Sequence, residues 1–194
     1  MKVLIIYAHP NPDSFNHAIL DAFTEGLSEG GHTSEVVDLY AAGFEPCLTF
    51  AELGALREGR KYDDVQAYQD KIIQADALAF IHPNWWTGVP AILKGWLDRV
   101  FSMGFAYMFD MEKHIPIGLL KHKKALVMNT SGAMEERAHE TEAAPMLKKI
   151  WSHEILGFCG IHDVEYAACF NVINADDETR KGYLEKARKL GKEF

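Results

Sequence analysis

Apolar positions along the chain alternate between two kinds of segment. Short, nearly continuous apolar runs occur at 3–7, 34–39, 77–82, 124–130 and 163–170, too brief for helices and bounded by polar or Gly/Pro residues. The first run is apolar throughout, as expected of a strand covered on both faces. Between the runs lie longer stretches with helical spacing. In 15–29, Ile19, Leu20, Phe23 and Leu27 share one face and Gly30-Gly31 ends the helix. Further helices are predicted over 63–74, 145–156 and 176–190. Another begins near Pro90, with Ile92, Leu93, Trp96, Leu97, Val100 and Phe101 as its apolar stripe. Residues 40–62 have little periodicity and carry Pro46 and three glycines, which reads as a long excursion from the sheet. Strands alternating with crossover helices predict an α/β fold, a doubly wound five-stranded parallel sheet with helices on both faces. Ligands of such sheets sit beyond the carboxyl ends of the strands, so the loops after the runs at 3–7, 77–82 and 124–130 are where chemistry is expected.

Those loops have unusual composition. After the first run, His9-Pro10-Asn11-Pro12-Asp13-Ser14-Phe15-Asn16 leads directly into a helix. A helix N-terminus offers free N–H groups and the positive end of a dipole to an anion. Ser14, Asn16 and His9 add side-chain donors suited to phosphate oxygens, while Ser14 or Asp13 is equally suited to capping the helix. Neither GxGxxG nor GxxxxGK[ST] is present, which argues against the usual dinucleotide fingerprint and against a nucleotide-hydrolysing P-loop. The second loop, Pro83-Asn84-Trp85-Trp86-Thr87-Gly88-Val89-Pro90, has adjacent tryptophans. One is expected to anchor in the helix layer and the other to meet a planar ligand, with Gly88 allowing close backbone approach. Phe105, Tyr107 and Phe109 add aromatic surface. The third loop, Asn129-Thr130-Ser131-Gly132, offers N–H donors to the carbonyls of a ligand, or forms a plain turn.

A length of 194 residues predicts one domain. The net charge of −8 lacks the positive excess that nucleic-acid binding requires. Cys47, Cys159 and Cys169 are widely spaced, with no CxxC pair, and read as thiols in a reducing cytosol. No metal site is expected. His153-Glu154 starts like HExxH, but Gly157 stands where the second histidine belongs. The basic run Lys121-His122-Lys123-Lys124 reads as a solvated face. The apolar start is broken by His9-Pro10 too early for a signal peptide, and no stretch approaches the ~20 residues of a membrane span. A soluble, cytoplasmic protein without stable membrane insertion is expected.

Taken together, the motifs resemble the flavin-dependent NAD(P)H:quinone oxidoreductases of the flavodoxin-like fold, also called DT-diaphorases. The resemblance is carried by Ala8-His9 with Ser14-Phe15-Asn16, by the run 88–96 (GVPAILKGW) with Asp98-Arg99-Val100-Phe101, and by Phe105-Ala106-Tyr107. It continues through Lys123-Lys124-Ala125, Thr130-Ser131-Gly132 and Phe158-Cys159-Gly160, nearly the whole chain. It implies that His9, Ser14, Phe15 and Asn16 hold the phosphate-bearing tail of a flavin. Pro83, Asn84, Trp85, Trp86 and Gly88 would border the ring system, backbone near Thr87 would donate to it, and Thr130, Ser131 and Gly132 would bond its polar edge. Tyr107 and Phe109 match aromatics that close over the substrate from the neighbouring subunit of a homodimer. Arg180 falls where FAD-binding relatives place an arginine near the adenylate half, so FAD is expected, with FMN the alternative. Relatives often have Leu-Gln where Asn84-Trp85 stands and a second Gly at Ala133, and the Tyr and His that follow in relatives have no clear counterparts here; His139 is the nearest candidate, at a shifted position.

The expected activity is hydride transfer from NADH or NADPH through flavin to a quinone or similar acceptor by a ping-pong route, with Tyr107, Trp86 and His139 as candidate catalytic residues. Rival readings are a ligand-sensing ancillary subunit of a membrane transporter of the potassium-efflux type and a flavodoxin-like electron carrier. The Trp-rich loop and the aromatics at 105–109 favour a substrate pocket over the exposed flavin edge that a carrier needs.

Overall fold

A computed structural model describes residues 1–60 and 62–194. Its centre is a sheet of five parallel strands, β1 (Lys2–Tyr7), β2 (Thr33–Asp38), β3 (Ala77–Pro83), β6 (Ala125–Thr130) and β7 (Val164–Cys169), in the order β2-β1-β3-β6-β7. Each matches a predicted run to within a residue at either end. All side chains of β1 beyond Lys2, and all of β3 and β6, are buried, which explains why these strands read as continuous apolar runs.

Alternate residues of the strands supply two separate cores. On one face Val3, Ile5, Tyr7, Ala79, Ile81 and Met128 pack under α1 (Phe15–Glu29) and α7 (Asp177–Lys192). These two helices approach so closely that a Cβ on Gly26 would lie 2.0 Å from the Arg188 carbonyl oxygen, a contact only glycine permits. On the other face Leu4, Ile6, Phe80 and Val127 pack with Trp96 and Trp151 beneath α3 (Asp63–Ile73), α4 (Ala91–Val100) and the π-helical turn that follows α6 (Ala143–Lys149). The helix predicted over 145–156 is α6 continued by a π-helical turn, Ile150–Ile155.

Three features were not foreseen. The excursion at 40–62, apart from Lys61, which lies outside the described residues, contains α2 (Phe50–Arg57), opened by a capping box in which Thr49 and Glu52 bond each other's backbone N–H groups. It is pinned to α4 by the buried Arg99, which donates to Glu52 Oε1, the Glu45 carbonyl and Asp64 Oδ2, each at 2.7 Å. An antiparallel hairpin, β4 (Tyr107–Asp110) with β5 (Ile115–Gly118), forms a separate two-stranded sheet that carries Tyr107 and Phe109, while Phe105 precedes it. A short helix, α5 (Glu135–Glu140), follows the loop after β6.

Candidate active site

β1 has β2 on one side and β3 on the other, so the chain reverses direction across the sheet between the carboxyl ends of β1 and β3. The loops after β1, β3 and β6, with Val172 and Ile173 beyond β7, enclose a cavity of about 500 Å³. Of the predicted cofactor residues, His9, Ser14, Phe15, Asn16, Pro83, Asn84, Trp85, Thr130 and Gly132 line it.

At one end is the start of α1. Ser14 is its N-cap: the hydroxyl accepts from the His17 N–H at 3.3 Å and lies 3.2 Å from the Tyr7 hydroxyl. The capping role weighed for Ser14 is therefore realised, and burial raises the Tyr7 phenol above its usual value. The backbone N–H groups of Phe15 and Asn16 have no acceptor among the described residues, as expected of a helix's first turn. Asn16 is 3% exposed and its Nδ2 donates to Thr130 Oγ1 at 2.7 Å, tying the first loop to the third. Its Oδ1 has no partner among the described residues. His9 accepts the Asn11 N–H on Nδ1 at 3.0 Å, with its ring centroid 6.1 Å from that of Trp85.

The second loop corrects one expectation. Neither Trp85 nor Trp86 is anchored in the helix layer: they are 42% and 102% exposed, and the buried tryptophans are Trp96 and Trp151. The reason is the turn itself. Trp86 and Thr87 both adopt positive φ, +53° and +54°, and Trp85 N–H donates to the Gly88 carbonyl at 3.0 Å, which curls the segment away from the core. Left-handed backbone at two successive non-glycine residues is unfavourable, and such strain concentrates at ligand clamps. It leaves the N–H groups of Trp86 and Thr87 without acceptors among the described residues, and the Gly132 N–H is unpaired too. Asn84 Oδ1 holds the turn by accepting from Gly88 N–H at 3.1 Å.

Behind the third loop lies a second cavity of about 130 Å³, sharing Asn84 with the first and lined by polar Thr87, Asn129, Ser131 and Tyr166 as well as by apolar Ala138, Leu147 and Phe170. The Asn129 amide donates to the Tyr166 hydroxyl, and burial pushes the Tyr166 phenol up to about 12. In register with Asn129, His82 on β3 is fully buried; its Nδ1 lies 2.9 Å from the Pro83 carbonyl, Nε2 is unpartnered, and burial pulls the imidazole down to about 4.

Other candidates fall outside the cavity. His139 sits on α5, exposed, with Nε2 3.9 Å from a Glu135 carboxylate oxygen and its ring 6.2 Å from Phe170, so it does not reach this chain's site. Tyr107 and Phe109 pack edge-on against each other and against Phe158, on the hairpin. Arg180 Nη2 points to the Val172 and Ile173 carbonyls at 3.4 Å, at the cavity rim. Sequence reasoning missed Val172, Ile173, Tyr166 and His82, and it read Asn129 as part of the third loop where it ends up on β6. For Tyr166 and His82 the available signal was strand alternation, which places them on one sheet face with Asn129.

The model of a family described as having the flavodoxin-like fold matches residues 1–190. A Haemophilus influenzae protein named "Uncharacterized NAD(P)H oxidoreductase" is 37% identical over 188 residues, covering 96% of this chain and 92% of that protein. The human ribosyldihydronicotinamide dehydrogenase [quinone] is 35% identical over 203 residues, covering 94% and 87%. The solved structure of an NAD(P)H:quinone oxidoreductase from Methanothermobacter marburgensis superposes with a TM-score of 0.91 at 37% identity, covering 99% of this chain and 98% of that one.

Proposed function

Because the chain belongs to this flavodoxin-like family, we propose that it is a flavoprotein oxidoreductase that passes a hydride from NADH or NADPH through bound flavin to a quinone or similar acceptor. The observation that carries the reading is a set of backbone N–H groups without acceptors among the described residues: those of Phe15, Asn16 and Gly132, which line one cavity, and those of Trp86 and Thr87 in the turn that follows its lining residue Trp85. Donors at a helix N-terminus fit phosphate, and donors beside exposed tryptophans fit the carbonyl edge and face of a flat heteroaromatic ring. The buried, unpartnered Asn16 Oδ1 beside them fits a polar ligand as well. The residues present therefore fit a flavin.

The flavin supplies the two-electron chemistry, accepting a hydride and later passing it on. The protein binds, orients and shields. The start of α1 would hold the phosphate, the N–H donors of the 86–87 turn and of Gly132 would meet negative charge on the ring, and Trp86 would stand beside it on the substrate side. FAD rather than FMN is the flavin of this reading, because Arg180, whose Nη2 lies 3.4 Å from the Val172 and Ile173 carbonyls, stands where the family resemblance puts an arginine near the adenylate half. Phe50, Met108, Phe109, Met111 and Ile115 are exposed around the hairpin and α2, more apolar surface than a monomer is expected to show. A homodimer covers it and brings Tyr107 and Phe109 towards the partner's open cavity. The three free cysteines suit a cytoplasmic setting.

One open face serves both nicotinamide and acceptor, so NAD(P)+ leaves before the quinone enters. The test is steady-state kinetics with NAD(P)H varied at several fixed quinone concentrations, joined to anaerobic titration of the purified protein. Parallel double-reciprocal lines and loss of visible absorbance with NAD(P)H alone are expected. Intersecting lines without bleaching refute the ping-pong order, and inertness towards every nicotinamide and quinone refutes the enzymatic reading.

A further inference from the structure

The opposite end of the sheet holds a second cleft that the reading above leaves without a role. Its volume is about 470 Å³, within the roughly 300–1,000 Å³ of small-molecule sites. It lies where β3 and β6 begin, a strand's length, about 20 Å, from the cavity at their carboxyl ends. One wall is apolar, built from Ile72 and Ile73 at the end of α3 and from Leu119 and Leu120 where the chain leaves the hairpin. Ile73 is 67% exposed, an isoleucine left in water beside an open cleft.

The other wall is the basic run that the sequence alone assigned to a solvated face. Lys121, His122 and Lys123 all line the cleft. Lys121 has no carboxylate partner among the described residues, and Lys123 has only Asp76, at 3.9 Å, with the lysine side chain largely in water and the aspartate half-buried. His122 lies 2.9 Å through Nε2 from the Ile72 carbonyl, and burial lowers its pKa, so it adds shape without charge. Asp76 accepts the Lys2 N–H at 2.8 Å, which turns part of its charge towards the strand ends. The balance on the rim is cationic, in a chain whose net charge is −8.

An apolar wall facing an unpaired lysine recognises a molecule with the complementary halves. We propose that this cleft binds a small amphipathic monoanion, an aromatic or aliphatic carboxylate, with its apolar body against Ile72, Ile73, Leu119 and Leu120 and its carboxylate at Lys121 and Lys123. The site is separate from the flavin cavity. It also touches the root of the hairpin: Leu119 N–H donates to the Ala106 carbonyl at 2.9 Å, and Gly104 N–H to that of Tyr107 at 2.7 Å. A ligand seated there braces the segment that carries Tyr107 and Phe109.

The experiment uses the flavin-loaded, isotope-labelled full chain titrated with 2-naphthoate, with the neutral 2-naphthylmethanol as control, and backbone amide shifts as readout. Expected are shifts at Ile73, Asp76 and Leu119 to Lys123, with those at Trp86, Thr87 and Gly132 unmoved, and weaker binding of the alcohol. The double variant Lys121→Glu/Lys123→Glu should bind 2-naphthoate about tenfold more weakly, from two lost ion pairs. Ile73→Glu, at a surface position, should do the same by charging the apolar wall, and thermal melts of both variants should stay at the parent value. Shifts confined to the Trp86 loop, no shifts at all, or equal affinity for the alcohol or the charge-reversed variant overturn the proposal.

Discussion

Asn16 is the side chain through which scaffold and ligand binding are most directly separable. Its amide donates to Thr130 Oγ1 at 2.7 Å, and the two residues are 3% and 4% exposed. Asn16→Ala removes a net contribution of about 0.5–1.5 kcal/mol and strands a buried hydroxyl, for a total cost of roughly 1–3 kcal/mol. At about 2–4 °C per kcal/mol for a domain of this size, the apoprotein should melt roughly 2–12 °C lower. Thr130→Val breaks the same bond from the other side and should cost a similar amount. The two variants part company on cofactor. If Asn16 also contacts the charged tail of the flavin, its loss costs a further 1.5–3 kcal/mol or so, about a tenfold to hundredfold weaker affinity, whereas Thr130→Val leaves the Asn16 side chain in place. Quenching of flavin fluorescence by apoprotein gives the affinity, and a thermal melt of the same sample gives the stability. Unchanged flavin affinity in Asn16→Ala refutes the phosphate role of Asn16 and leaves it a strut between two loops; Thr130→Val, at a residue that itself lines the cavity, gauges only the stability carried by the shared bond.

Acid should destabilise the fold through His82, because its imidazole titrates near 4 when folded and near 6.5 when unfolded. The unfolded chain binds a proton that the folded one refuses, so stability is unaffected above about pH 7 and falls by about 3 kcal/mol between about 6.5 and 4. Urea titrations of the parent and His82→Met across that range should show the extra slope only in the parent; identical slopes defeat the assignment. Arg99→Met strands the buried Glu52 carboxylate and should cost about 3–5 kcal/mol. Adding Glu52→Gln should recover much of it, and a double variant melting no higher than the single one contradicts this. Light scattering should give about twice the 21.8 kDa chain mass, and a fully active monomer at assay concentration rules out the shared site.

Much of the fold was legible from the chain alone. Strands buried on both faces must be apolar without interruption, and the crossover helices between them must be amphipathic, so the five runs and most of the helices are written in local composition. The loops at the carboxyl ends were legible for a related reason. Ser14 and Asn16 at a helix start, the Trp-Trp-Thr-Gly turn and Thr130-Ser131-Gly132 break the pattern of their surroundings, and nine of the residues picked out there line one cavity. What the sequence could not decide depends on contacts between distant segments. The helix at 50–57 is held by Arg99, which lies 47 positions from Glu52, so its local periodicity is weak. The hairpin hides its strands because most of its side chains face solvent and supply no buried alternation. Whether Trp85 or Trp86 is buried was settled by two positive φ angles, and these follow from how the turn closes on Gly88 rather than from the identity of either residue. Tyr166 and His82 are ordinary in sequence, and Asn129 stood out only as the start of a polar loop. Only the parallel register of three strands brings them together on one buried face, where desolvation shifts His82 and Tyr166 in opposite directions because one is charged when protonated and the other when deprotonated.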